Sequence, residues 1–515
     1  MEKTIDIIVG SNYGDCGKGR ITAYLANQYD VDKTLVVRSS SGFQCSHTVI
    51  SGDKRHVFHG FGSGTLDGYP TYLSNGVVVN PIIFRQEMEE LKAMGVNPKI
   101  YINRRCYITL PTHMLANQCI EKLNIFFEDR YGTCGIGVWE TMNDHVLNST
   151  YINVNKLRNE KFYNKVRKHY GSKRWFENRI HQNYDDDMIH DFAEAEETYR
   201  HYLALNLNDD MWAHFYQDLG YMYDNCTVVE GISDIPDIEH YVFEMSQGIL
   251  LSATRCHRSG IAHDCTSGAT TGIINELTSN LYDKFDINLN YVTRWYMTRH
   301  GNVLRHDTRR RREELSPLIV DNTNVPNEWQ GEMVFGLLDV DALANRIDDD
   351  FRGFCRYFEN NFSNVNILPK SIYVTCIDQI NEGYLPHMSG CTLSRESSLS
   401  QFLRNIIKEE SFANIYLCLS ESNDDIVPFY RWSNTLPALK TYMYNGKNDT
   451  ETRLRREALR TFRNMRVTAT NRTESAGNAE ILGTIDLNDN RYHMVTVDAD
   501  GSISISTDVN TVTPF

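Results

Sequence analysis

The sequence has no stretch approaching the ~18–20 consecutive apolar residues that a membrane-spanning helix requires. Its N-terminus, Met1-Glu2-Lys3-Thr4-Ile5-Asp6, lacks a secretory-signal pattern, so a cytoplasmic location and no membrane association are expected. Basic charge is in deficit: 52 Lys and Arg against 67 Asp and Glu leave a formal charge of −15. That balance disfavours nonspecific nucleic-acid binding, and any nucleotide site must be built locally from backbone amides and a few cations. The 12 cysteines include no CxxC pair, which argues against a zinc ribbon and against a disulfide framework, leaving most of them as small buried hydrophobes. Proline is sparse, 12 in all, and no low-complexity linker or internal repeat stands out, which argues against long disordered spacers. The remaining composition, 41% hydrophobic and 23% charged over 515 residues, is that of a soluble globular chain of roughly two to four domains.

The chain opens with Thr4-Ile5-Asp6-Ile7-Ile8-Val9-Gly10, a β-branched run halted by glycine, and helical periodicity resumes near Ile21. Between them lies Gly10-Ser11-Asn12-Tyr13-Gly14-Asp15-Cys16-Gly17-Lys18-Gly19-Arg20. Closely spaced glycines let backbone amides approach an anion, the helix start adds its positive dipole end, and Lys18 supplies a point charge, so the loop reads as a phosphate cradle. It is not a Walker A loop, because the glycine spacing is wrong and no Ser or Thr follows Lys18. A second strand, Thr34-Leu35-Val36-Val37-Arg38, leads into the small polar stretch Ser39 to Thr48. A third, Gly76-Val77-Val78-Val79, ends at Asn80-Pro81 and passes into a helical pattern from Ile82 to Met94. This alternation predicts an α/β fold with a largely parallel central sheet whose ligands sit beyond the carboxyl ends of the strands, where Asp15 and His47 can meet as base and acid.

These loops carry a family resemblance. Tyr13-Gly14-Asp15-Cys16-Gly17-Lys18-Gly19-Arg20 resembles the WGDEGKGK signature of adenylosuccinate synthetases, Ser41-Gly42-Phe43-Gln44-Cys45-Ser46-His47-Thr48 their GGHNAGHT, and Ser74 to Pro81 their GNGVVLSP. Gly135-Ile136-Gly137 is similar to their GRGIGP, Phe243-Glu244-Met245-Ser246-Gln247-Gly248 to their FEGAQG, Met297 to Gly301 to their STRVG, and Thr375-Cys376-Ile377-Asp378 to their TKLD. The resemblance runs from residue 1 to about 430 and implies a carbon–nitrogen ligase. In such an enzyme a nucleoside triphosphate phosphorylates the 6-oxygen of a purine monophosphate, and L-aspartate then displaces the phosphate. Carried over residue by residue, it implies Asp15, His47 and Lys18 as catalytic groups, and Asp15 with the Ser46 carbonyl as ligands to Mg2+. It implies Gly14, Gly17, Lys18, Gly19, Asp378 and Ser420 as the triphosphate site, and Gln44, Asn75, Thr133, Gln247, Thr266 and Arg299 as the monophosphate and amine side. A homodimer is expected.

Departures from the family leave alternatives open. Where the family has an arginine-rich loop that clamps aspartate, this chain has Asn327 to Gly336 without arginine, and the run Arg309 to Arg312 upstream reads as a solvated helical face with internal ion pairs. Cys376 replaces a lysine and Leu419 to Asp424 replaces the usual base-site segment, so GTP, ATP and dATP all stand as donors. Val325 to Gly331 resembles the phage 2-aminoadenylosuccinate synthetase branch, which takes dGMP, and archaeal-type members more than the bacterial loop, whereas retained Asp15 favours IMP. A diverged purine-nucleotide sensor or scaffold is the competing reading. Residues 1–430 are read as the catalytic domain, with 155–237 as a helical cap offering a place for dimer contacts. Residues 431–515 are read as an appended α+β module: an amphipathic helix from Thr450 to Arg466, then strands near Glu480–Leu487, Arg491–Val497 and Ser502–Thr507.

Overall fold

The computed structural model describes residues 3–127, 132–148, 152–252, 284–300, 308–321, 329, 332–381, 385–389, 392–396, 402, 412, 414–422, 425–428, 480–486, 491–497 and 503–508. In chain order the first part contains β1 (Lys3–Gly10), α1 (Lys18–Ala26), β2 (Thr34–Arg38), β3 (His47–Ser51), β4 (Lys54–Phe58), β5 (Thr71–Leu73), β6 (Val78–Val79), α2 (Pro81–Ala93), β7 (Ile100–Asn103), β8 (Tyr107–Ile108), α3 (Pro111–Phe126) and α4 (Val138–Asn148). Six helices follow: α5 (Val154–Leu157), α6 (Glu160–Tyr170), α7 (Lys173–Ile180), α8 (Asp186–His190), α9 (Ala193–Asn206) and α10 (Asp209–Asp224). Then come β9 (Thr227–Val229), β10 (His240–Gly248), β11 (Phe285–Arg294), β12 (Met297–His300), β13 (Arg309–Arg310), α11 (Arg312–Leu315), β14 (Met333–Gly336), α12 (Val340–Asn361), β15 (Val365–Ile367) and β16 (Ser371–Thr375). The remainder is β17 (Leu385–Ser389), β18 (Thr392–Glu396), β19 (Asn414–Cys418), β20 (Ile426–Pro428), β21 (Glu480–Asp486), β22 (Arg491–Val497) and β23 (Ile503–Asp508).

One sheet organises the chain. Its order is β20-β19-β16-β11-β1-β10-β2-β5-β7-β9, with β15 also on β11, and every pairing is parallel except β19 with β20. Parallel strands are covered on both faces and therefore read as continuous apolar runs rather than alternating ones, and Ile5, Ile7, Ile8 and Val9 of β1 are all fully buried. One core cluster joins Ile7, Phe243, Leu289 and Val374 to α12; a second runs from Phe84 and Leu123 into Tyr170, Trp175, Phe215 and Leu219, so the helices of 154–224 pack on the α2 and α3 side of the sheet. Helix starts are capped as their sequences dictate: the Asn80 side chain accepts from Ile82 and Ile83 N–H, with Pro81 at the first helical position.

The third strand of the sequence reading is corrected. Gly76 to Val79 does not enter the central sheet; Thr71–Leu73 does, and Val78–Val79 pairs with Tyr107–Ile108 in a separate two-stranded sheet. The reason is a turn, closed by Val77 N–H donating to the Ser74 carbonyl, that carries the chain off the sheet after Leu73. The arginine run also differs from a helical face. Arg309–Arg310 is strand, paired with β14, and only Arg312–Leu315 is helical, although Arg311 pairs with Glu314 and Arg312 with Glu313. Beyond Pro428, β21, β22 and β23 form an antiparallel three-stranded sheet, and the expected helix of Thr450 to Arg466 lies outside the described residues.

Candidate active site

The carboxyl ends of β1, β10, β11, β16 and β19 lie side by side, so the loops that follow them share one edge of the sheet. There they enclose a cleft with ≈ 840 Å³ of empty space, part of it open to solvent, in the size range of small-molecule sites. The phosphate end is the loop after β1. Gly14, Asp15 and Gly17 all have left-handed backbone, at φ 99°, 44° and 87°, which turns successive N–H groups to one side. Arg346 of α12 fixes the loop from behind, donating to the Ser11 carbonyl at 2.8 Å and to Asn12 Oδ1 at 2.5 Å. Lys18 begins α1 almost wholly buried, its Nζ 4.0 Å from Cys16 Sγ.

Glycine at two further positions is a matter of space. A Cβ on Gly248 would come within 2.1 Å of the Asn12 carbonyl oxygen and 2.5 Å of Gly14 N, and one on Gly10 within 3.0 Å of the Gln247 carbonyl oxygen and 3.2 Å of Lys18 Nζ. Gly248→Ala is therefore expected to push the loop off β10, weakening nucleotide binding by ~10-fold or more and costing about 1–3 kcal/mol of stability, as overpacking does. Calorimetric titration and a thermal melt check it.

Asp15 is held by an arginine that sequence reasoning missed. Arg294, the last residue of β11, donates through Nε to the Asp15 carbonyl at 2.7 Å, and its Nη2 lies 3.2 Å from Asp15 Oδ2. Its Nη1 lies 3.5 Å from Asp321 Oδ2 and donates to the Tyr296 hydroxyl at 3.0 Å. Burial opposes the charge on Arg294, but Asp15 and the groups around it hold the guanidinium protonated, well above the ordinary arginine range.

His47, the first residue of β3, sits between two acceptors. Its Nδ1 is 2.6 Å from Glu244 Oε1 and its Nε2 3.3 Å from the Ser246 carbonyl oxygen. Glu244 has no exposed surface, and Ser63 donates to it twice, from N at 2.9 Å and from Oγ at 2.5 Å. Arg38, at the end of β2, braces the same corner by donating to Ser246 Oγ at 2.9 Å and the Phe61 carbonyl at 3.1 Å. Burial works against the Glu244 charge, yet His47, Arg38 and Ser63 outweigh it and hold the carboxyl down to about 2. Glu244 is thus a carboxylate that fixes His47 Nδ1 as a donor.

The far end of the cleft lies along the ends of β16 and β19. Thr375 Oγ1 donates to the Cys16 carbonyl at 3.0 Å, and left-handed Cys376, φ 60°, turns the chain so that Asp378 stands open to the cleft. Arg20 of α1 donates to the backbone carbonyls of Ser420 and, at 3.1 Å, Asp425, while Ser420 Oγ donates to Asp425 Oδ2 at 2.5 Å. The surrounding walls bury the Asp378 carboxyl group enough to push it up to about 6, Glu421 and Asp425 adding to the rise and Arg20 opposing it. Asp378 remains accessible to a ligand, and the desolvating walls and the two neighbouring carboxylates act in the same upward direction.

Of the residues expected from sequence, the cleft brings together Asp15, Gly17, Lys18, Gly19, Ser46, His47, Asp378 and Ser420. The others occupy adjoining loops. Gly14 faces Gln247, whose Oε1 lies 3.0 Å from where a Gly14 Cβ would be, and Arg299 lies over the Tyr13 ring at 4.6 Å. Gln44 donates to Ser41 Oγ at 3.2 Å, Thr133 donates to Asn117 Oδ1 at 3.1 Å, and exposed Asn75 is followed by Gly76 packed on the Ser39 carbonyl. Thr266 lies outside the described residues. Arg309 to Arg312 do not line the cleft. Asp15 and Ser46 suit magnesium: one carboxylate and one carbonyl leave the other oxygen positions to phosphates and water, the donor set that ion prefers. Nothing in the sequence flagged Arg294 or Ser63, while Arg20, Arg38 and Glu244 stood inside quoted segments without a role.

A parallel α/β sheet with a glycine-lined, lysine-bearing anion cradle at its carboxyl edge is a nucleotide-binding architecture. Residues 7–218 match the family model for adenylosuccinate synthetase. Curated relatives include adenylosuccinate synthetases of Borrelia duttonii, 28% identical over 38% of this chain and 44% of the relative, and of Azobacteroides pseudotrichonymphae, 33% identical over 28% and 33%. In sequence, the chain thus spans less than half the length of these relatives. Two solved structures share the fold. Fully ligated adenylosuccinate synthetase of Plasmodium falciparum matches with a TM-score of 0.57 at 15% identity, covering 83% of this chain and 100% of that one. Cyanophage S-2L succinoaminodeoxyadenylate synthetase (PurZ), bound to dGMP and to dATP as energy donor, matches with a TM-score of 0.51 at 12% identity, covering 86% and 99%. No helix among the described residues is long and apolar enough to cross a membrane.

Proposed function

We propose that this chain is a magnesium-dependent carbon–nitrogen ligase that phosphorylates the 6-oxygen of a purine nucleoside monophosphate with GTP, ATP or dATP and joins L-aspartate at the same carbon. The observation that carries this reading is the juxtaposition, in one cleft, of Asp15, Lys18, Ser46 and His47 at the anion-binding end with Asp378 and Ser420 beyond it. Asp15 accepts the ring proton, so that the 6-oxygen becomes the nucleophile toward the terminal phosphorus. Lys18 and the loop amides take up charge on the transferring group, and His47, aimed by Glu244, donates to a phosphate oxygen. Magnesium, when held by Asp15 and the Ser46 carbonyl, supplies further neutralisation of phosphate charge. As the 6-oxygen bonds to the terminal phosphorus, the bridging β–γ P–O bond breaks and the nucleoside diphosphate leaves; the aspartate amine then bonds to C6, the C6–O bond breaks with its electrons going to the departing phosphate, and the amine proton is released. Gln247, beside Gly14, reads the acceptor base.

The acceptor is IMP-like, because Asp15 keeps a carboxylate at the base-facing loop; dGMP is the alternative, supported by the shared fold with the dGMP-bound cyanophage enzyme. Arg299, buried above Tyr13 beside the loop, is the cation that the family resemblance assigns to an aspartate carboxylate. Arg299→Ala is expected to raise the aspartate KM by ~10-fold, the loss of a charge-assisted hydrogen bond, with nucleotide KM values little changed. The direct test incubates the protein with magnesium, aspartate, GTP or ATP and each of IMP, GMP and dGMP, and identifies products by mass. Absence of any succinylated product with every combination overturns the ligase reading in favour of a nucleotide sensor. The expected homodimer is tested by sedimentation.

A further inference from the structure

The donor nucleotide's orientation follows from the order of strands along the cleft. The phosphate cradle follows β1, and successive strands outward are β11, β16 and β19, each about 4.8 Å further along the sheet. A triphosphate seated on the Gly14–Lys18 loop therefore carries its base toward the ends of β16 and β19, where Asp378 and Ser420 line the cleft. The side chains there are unusual for a site that receives an uncharged base. Asp378 faces Glu421 and Asp425 from the segment after β19, with Cys376 on its own turn and Cys418 at the end of β19. Among the described residues, Arg20 opposes Asp378 and Arg294 acts on Cys376, and the Arg20 hydrogen bonds go to the Ser420 and Asp425 backbone carbonyls rather than to the Asp378 carboxyl.

We infer that Asp378 chooses the donor base by its protonation state: as a carboxylate it accepts from the ring and exocyclic N–H groups of guanine, and as a neutral carboxyl it donates to the adenine ring nitrogen while accepting from the adenine amine. The inference rests on the nucleotide reading of the cleft given above. Its chemistry is a matter of counting donors. Guanine presents two adjacent donors on that edge, which only an acceptor-only carboxylate satisfies, whereas adenine presents one acceptor and one donor, which match one hydroxyl and one carbonyl oxygen. A carboxylate against the adenine ring nitrogen sets acceptor against acceptor, and a base laid over Asp378 completes its desolvation and leaves that mismatch uncompensated. The neutral form is within reach because the cleft walls, with the Glu421 and Asp425 carboxylates beside it, push the carboxyl group up to about 6, above the ordinary aspartate range. The same site thus uses guanine triphosphate at higher pH and adenine triphosphate at lower pH.

The test is binding, not turnover. GTP and ATP are titrated with magnesium into the full chain by calorimetry between about pH 5 and pH 8, and the ratio of their affinities is followed; phosphate ionisation is common to both and cancels. The ratio is expected to move toward GTP by about tenfold per pH unit, the slope of one proton bound with ATP and not with GTP. Asp378→Asn has the neutral carboxyl's pattern of one donor and one acceptor fixed at all pH values, so it is expected to favour ATP with no pH slope. A wild-type ratio that stays flat overturns the inference, as does an Asn variant that still favours GTP. The wild-type titration decides alone if the variant does not fold. Binding of both nucleotides with a flat ratio sinks only this inference, while binding of neither at any pH overturns it together with the nucleotide reading.

Discussion

Asp15→Asn is expected to lower turnover by at least ~10²-fold while leaving the fold in place. The local backbone makes asparagine the informative replacement. Asp15 sits at φ 44°, in a region that strains most side chains and that asparagine adopts with the least penalty, so the loop between Gly14 and Gly17 keeps its shape. Arg294 still donates through Nε to the residue-15 carbonyl at 2.7 Å, and its Nη2 still meets an amide oxygen in place of the carboxylate. What disappears is the negative charge, and with it both the capacity to take the purine ring proton and a ligand suited to magnesium. Arg294 keeps Asp321 as counter-ion, its Nη1 3.5 Å from Asp321 Oδ2, so no buried charge is orphaned and the melting temperature is expected to hold. Steady-state product formation beside a thermal melt reads both halves. A variant with wild-type turnover and an unchanged melt removes Asp15 from the mechanism.

The parts of the site that were legible in sequence are the contiguous ones. Strand, glycine loop and helix from Lys3 to Ala26 follow one another without interruption, so local pattern alone indicates an anion cradle with Lys18 at its rim. The misread third strand shows the limit of the same reasoning. Gly76 to Val79 has the β-branched run of a central strand, while the true strand, Thr71–Leu73, is three residues long and follows a proline. Periodicity cannot rank them, because burial in the sheet is decided by the Ser74 to Val77 turn. The arginines make the point more sharply. The conspicuous run Arg309 to Arg312 spends itself on a short strand and on ion pairs with Glu313 and Glu314, while isolated Arg20 and Arg38 are buried, and Arg294 half-buried, around the cleft. Arg294 lies 279 residues from Asp15 and Glu244 lies 197 from His47; nothing in local sequence spacing encodes such partners, which only strand order brings together.

Glu244→Gln is expected to slow turnover on the order of 10²-fold with little change in nucleotide affinity, the signature of a group that acts on the transition state through another residue. Glu244 is not itself part of the cleft lining; it is wholly buried behind His47, 2.6 Å from Nδ1. Its charge does two things. It fixes Nδ1 as donor, and it opposes the burial that, with Arg38 and Lys18, pushes the His47 imidazolium below the ordinary histidine range. Glutamine keeps the size and offers an oxygen to Ser63 N and Oγ, but without the carboxylate the protonated form of His47 loses its main support, so the protonation that turnover requires moves to lower pH. The alkaline limb of the rate profile should shift to lower pH, a change that a purely structural role for Glu244 leaves untouched. Stability gives a second readout with a definite sign. Because the Glu244 carboxyl is held at about 2 against its usual 4.5, the stability it contributes is fully present above pH 4.5 and is lost as pH falls toward 2. The wild-type melting temperature should therefore drop across that window more steeply than that of Glu244→Gln, which has nothing to protonate there. Glu244→Ala is the harsher control: it strands two Ser63 donors and the His47 N–H in a dry corner, at about 3–5 kcal/mol, and is expected to cost folding as well as rate. Equal rates and parallel pH profiles for wild type and Glu244→Gln would show that His47 needs no carboxylate behind it.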